Sequence, residues 1–105
     1  MTHEEVMTII TTMNLPYAYD HFSEGKSPEP PFIIFSLPRS ANFAADGIVY
    51  HHVSKLNIEL YTEIKNPNLE LTVESIFNTN GVFFNKSEVW IKEEQLYEVL
   101  YEMEV

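Results

Sequence analysis

Cysteine is absent from this chain of 105 residues, and only six lysines and arginines stand against sixteen aspartates and glutamates. The first absence excludes disulfides and thiolate chemistry and fits a reducing compartment. The second leaves a net charge of −10. Affinity for nucleic acid comes largely from cations that neutralise phosphates. Here Lys26, Arg39, Lys55, Lys65, Lys86 and Lys92 are scattered along the chain. Direct DNA or RNA binding is therefore not expected, nor attraction to an anionic membrane. Glycine is scarce as well: Gly25, Gly47 and Gly81 each fall at an expected turn or cap, and no glycine-rich phosphate loop exists. Serine nucleophile elbows and zinc-peptidase helices are also missing. No stretch approaches the roughly 20 apolar residues of a membrane span. The opening MTHEEVMTII lacks the basic region and apolar run of a signal peptide, so a cytoplasmic product is expected.

What is present suffices for one modest core. Hydrophobic residues make up 45% of the chain, which argues against disorder, and the length suits a single domain over residues 1–105. Residues 2–14 predict a helix: Thr2 and Glu5 have capping-box spacing, and Val6, Ile9, Ile10 and Met13 share one face. Residues 17–22 suggest a short strand, and the proline-rich 23–31 a loop. FIIFSL at 32–37 predicts a central strand. Residues 38–47 then connect to one long strand over 48–63, in which Leu56, Ile58 and Leu60 alternate with Asn57, Glu59 and Tyr61.

Asn66-Pro67 opens a second helix with Leu69, Val73, Ile76 and Phe77 facing inward and Gly81 as its stop. Residues 82–86 predict a strand, and 88–94 a short strand or bend running into a turn near Glu93-Glu94. Over 96–105, Tyr97, Val99, Tyr101, Met103 and Val105 share one face, with Glu98, Glu102 and Glu104 on the other. Those glutamates suit an exposed edge strand. The fold class expected is α+β, a mostly antiparallel sheet packed by two helices.

Adjacent His51 and His52 are the most tempting chemistry. Neighbours on a strand point to opposite faces, so both cannot ligate one metal without a bulge. A site would need one of them with His21 and a carboxylate, in a spacing unlike known zinc patterns. No catalytic residue, metal or cofactor is expected. Carboxylates could always be paired on paper as acid and base, but a solvated acidic face explains them better. At least one of Phe83 and Phe84 should be core, and Trp90 fits either a core or an interface position. The connection 38–47 is the leading functional segment. Phe43 there is flanked by Ala41, Asn42, Ala44 and Ala45, and Asp46-Gly47 is a tight-turn dipeptide. Phe43 either reaches a partner or folds back over the sheet.

Two segments, FAADGIVYHHVSKLNIELYTE and SEVWIKEEQLYEVLYEMEV, separated by the second helix, resemble small tail-completion proteins of siphophages and prophages. These are the tail terminator or head-tail joining proteins of the neck and tail module. The resemblance spans about Leu15 to Val105. It implies a virion structural protein that forms a ring, a hexamer, at the end of the tail tube or between tail and head connector. Its partners would be itself and tail-tube or head-connector proteins, without catalysis. It would reside in the host cytoplasm during assembly and then in the virion neck or tail. Arg39, Asn42, Phe43, Asp46 and Trp90 are the candidate interface residues. Two alternatives remain open: a small prophage-encoded regulatory protein that binds a host protein, and a small metal-dependent enzyme.

Overall fold

The computed structural model describes residues 1–40, 43–45, 48–51 and 53–105, with 43–45 and 48–51 as backbone only. Helix α1 spans His3–Thr12. Its capping box is formed: Thr2 Oγ1 accepts from the Glu5 amide at 3.1 Å, and the Thr2 amide donates to Glu5 Oε1 at 3.0 Å. The Glu5 carboxyl is accordingly held below its ordinary value, first by the Thr2 backbone bond and then by the hydroxyl. Asn14 takes a left-handed conformation, φ 56°, and so turns the chain away from the helix axis before Leu15-Pro16.

Five strands form the main sheet: β1 (Tyr17–Tyr19), β2 (Phe32–Ser36), β5 (Lys55–Thr62), β6 (Phe84–Ile91) and β7 (Leu96–Glu104), in the order β1-β2-β5-β7-β6. Only the β1–β2 pair is parallel. β3 (Phe43–Ala45) and β4 (Ile48–His51) pair with each other as a separate two-stranded sheet. Helix α2 spans Pro67–Thr79, with the Asn66 side chain accepting from the Leu69 amide at 3.1 Å and Pro67 in the first turn. Gly81 follows at φ 68°, the left-handed stop expected after Asn80. The architecture is α+β, as expected, with both helices on one face of a mostly antiparallel sheet.

That face is the core. Ile33 and Phe35 of β2, Leu56, Ile58 and Leu60 of β5, and Val99, Tyr101 and Met103 of β7 meet Val6, Ile9 and Ile10 of α1, its C-cap Met13, and Val73 and Phe77 of α2. The alternation read for 55–62 holds throughout, with Thr62 ending the buried row. Of the phenylalanine pair, Phe84 packs against Phe77 and Tyr101, while Phe83 is 80% exposed.

Four expectations need correction. Residues 48–63 do not form one strand: 48–51 pair with β3, and β5 begins at Lys55 after Ser54 has exchanged backbone bonds with Val105. Of the short strand or bend expected over 88–94, residues 88–91 are strand, but they continue β6 from Phe84 without a break and are no separate element, and Val82 lies before the strand. The turn follows at 92–95, beside the Glu93-Glu94 expected. β7 is not an edge. It lies between β5 and β6, and its glutamates line the face turned away from the helices instead. The strand expected over 17–22 stops at Tyr19, because Asp20 adopts φ 65° and the His21 amide bonds back to the Tyr19 carbonyl.

Candidate interaction surfaces

Register separates two of the candidate residues, Arg39 and Trp90. At one end of β5, Lys55 lies opposite Glu104, and the Lys55 amide donates to the Arg39 carbonyl at 2.8 Å. Arg39 is exposed there, at the root of the connection that carries β3 and β4. Phe43 opens β3, paired with His51. Asn42 and Asp46 lie outside the described residues, as does the Asp46-Gly47 turn. At the other end of the sheet Thr62 is opposite Tyr97, and Tyr97 is opposite Trp90. Seven residues of strand put these ends roughly 23 Å apart at about 3.3 Å each. Trp90 therefore belongs to a different surface from Arg39. Its ring packs on Tyr97 at 4.7 Å between centroids and is still 45% exposed.

His21 Nδ1 lies 2.9 Å from its neighbour Asp20 Oδ2, both exposed. His51 sits in β4, and His52 lies outside the described residues. Among the described residues no cluster of three or more potential metal ligands occurs, and no helix is long and apolar enough to cross a membrane.

A charged network between α2 and β6 escaped the sequence reading. Glu70, on the sheet-facing side of α2, is 4% exposed. Its carboxylate lies 2.7 Å from Lys65 Nζ and 2.8 Å from Lys86 Nζ. Lys65 also pairs with Glu88. Lys86 also reaches Glu74 at 2.7 Å, and Tyr101 Oη donates to the same Glu74 oxygen at 2.8 Å. Burial pushes the Glu70 carboxyl upward, but the bonds from Lys65 and Lys86 outweigh it and hold the group below its ordinary value. Burial, then the bond to Glu74, raises the Tyr101 phenol. A carboxylate kept ionised by two ammonium groups is a poor proton donor or acceptor near neutral pH. The network is a clamp that ties helix to sheet edge. A charged residue at a helix position flanked by Leu69 and Val73 was its one visible signal.

The face of β5 and β7 turned away from the helices is acidic. Glu59, Glu98, Glu102 and Glu104 come from β5 and β7 at positions opposite in parity to the core row. Tyr61 Oη donates to Glu59 at 2.8 Å. The Glu98 carboxyl is raised, first by partial burial and then by the charges of Glu59 and Glu94. Only Lys55, paired with Glu104 at 2.8 Å, offsets these charges within the β5–β7 ladder.

The free side of β6 is the remaining surface. Its eight residues carry no proline, and their register with β7 is unbroken. Among the described residues no strand pairs its other side. Phe83, Val89 and Trp90 are exposed along it. Compared with protein-family models and with curated proteins, the chain matches none.

Proposed function

We propose that the chain is a structural protein of a phage neck or tail module, forming a six-membered ring that terminates the tail tube or joins the tail to the head connector. One observation carries the proposal beyond the sequence resemblance. β2 and β5 are antiparallel neighbours that two to five residues could join, yet residues 37–54 connect them and fold their own β3–β4 ladder. A paired arm rooted in a rigid sheet suits a protein that reaches a neighbouring subunit. Phe43 is its candidate anchor, with Arg39 at its root. The acidic open face also fits the role. Turned toward the DNA path, Glu59, Glu98, Glu102 and Glu104 repel phosphates and let DNA slide.

Phe43→Ser tests the arm. The melting temperature should change little, because the five-stranded sheet does not contain the residue. Ring formation, measured as mass by light scattering with and without tail-tube protein, should be lost, and particle assembly in a complementation assay with it. If the variant monomer unfolds, Phe43 serves the fold. If it assembles normally, the arm is not the joining surface.

A further inference from the structure

We propose that β6 is a self-recognition edge, at which two copies of the chain pair their β6 strands antiparallel about Ser87 and merge two five-stranded sheets into one of ten strands. The inference does not rest on the tail-module reading. It begins from the outer backbone groups of β6, which no strand among the described residues pairs and which form a template for another strand, and from the absence of proline or a bulge to blunt them. A two-fold axis normal to the sheet keeps both helix layers on the same side. Residues opposite one another must then share a face, so the axis passes through a residue and not between two.

Charge selects which residue. On the helix side β6 presents Phe84, Lys86, Glu88 and Trp90, as their contacts with Phe77, Glu74, Lys65 and Tyr97 show. Centring on Lys86 sets Lys86 against its own copy, and centring on Glu88 does the same with Glu88; like charges directly opposite are unfavourable. Centring on Ser87 sets Lys86 against Glu88 twice and Phe84 against Trp90 twice. On the open side the same register places Asn85 opposite Val89 and Phe83 opposite Ile91. The exposed apolar residues of this edge, Phe83 at 80%, Val89 at 52% and Trp90 at 45%, all acquire partners.

The absence of cysteine makes a direct test available. Ser87→Cys puts a thiol on the proposed axis, where opposed residues lie about 4.5–5.5 Å apart, within disulfide range. Mild oxidation of the full chain should yield a covalent dimer. Asn85→Cys and Val89→Cys each sit about 13 Å from their own copies at roughly 3.3 Å per residue. They should stay monomeric singly and cross-link when the two variants are mixed. A monomeric Ser87→Cys, or equal cross-linking of all three single variants, overturns the proposal. In sedimentation velocity Glu88→Lys should weaken self-association about tenfold, since both charge pairs become repulsive. Mixing it with Lys86→Glu should restore association, because the mixed pair again sets lysine against glutamate. Failure of a folded mixture to associate counts against the register.

Discussion

Replacing Lys65 and Lys86 together by Met is expected to cost about 3–5 kcal/mol of stability at pH 7, the range found when a buried ion pair loses its partner. Glu70 is nearly sealed from solvent, and these two ammonium groups are the cations bonded to it. Either single replacement should cost less, since one lysine remains. The pH profile distinguishes this from lost packing. In the native chain the Glu70 carboxyl lies below its ordinary value of 4.5, so its contribution is complete above that value and disappears as pH falls through the folded one. Lys65 and Lys86 are raised above 10.5, Lys65 chiefly by its bond to Glu70 and Lys86 by Glu70 and Glu74 against burial. Their contribution is complete below 10.5 and is lost as pH rises through the folded values. In the double variant burial acts on Glu70 alone and raises its carboxyl, so stability should improve from pH 7 toward pH 5. Adding Glu70→Leu should recover most of the loss, because an apolar side chain needs no cation. Urea midpoints at the two pH values decide the matter. A double variant within about 1 kcal/mol of the native chain at pH 7 would mean that water already serves the Glu70 carboxylate.

Ile58→Ala should cost about 2–5 kcal/mol, the transfer term of the lost methyl groups plus the cavity they leave. Ile58 is fully buried in the middle of β5, opposite Phe35 on β2 and Tyr101 on β7. Its neighbours are held by ladders on both sides and cannot collapse into the space. Glu102→Gln, on the solvent side of the same sheet, should change stability by less than about 0.5 kcal/mol. Denaturant unfolding of both variants reads the difference. Equal losses would mean that the two faces have been exchanged.

Local signals made part of this legible in the chain. Thr2 with Glu5, Asn66 with Pro67, and Gly81 each act within a few residues, and the helices begin and end where they stand. The alternation in β5 follows from one buried and one open face. β7 shows why such a signal stops short. Its glutamates report which face meets water, and both a central and an edge strand of a one-sided sheet have such a face. β6 was hard to read for a different reason. Lys86 and Glu88 occupy its helix side, satisfied there by Glu74 and Lys65, so polar residues fall on both faces and the period of two is lost. The partners come from 12 and 23 residues away, beyond any local window. The split between β4 and β5 also rests on distant partners, since Ser54 is bound by Ser40 and Val105. Of the candidate interface, sequence reasoning named Arg39 and Trp90 together, and only the register places these two at opposite ends of the sheet.

The central position of β7 bears on how the protein is made. β2 and its antiparallel neighbour β5 emerge from the ribosome early, but the strand that covers the other side of β5 is translated after both α2 and β6. At about 5–20 residues per second, the delay between Thr62 and Glu104 is about 2–8 seconds. Throughout that interval Leu56, Ile58 and Leu60 belong to a strand with one bare side, and β6 has no sheet to join. A nascent chain paused within 63–95 is thus a half-built sheet with an adhesive margin and not a smaller folded domain. Slower translation through that window lengthens the time for which the second side of β5 stays bare.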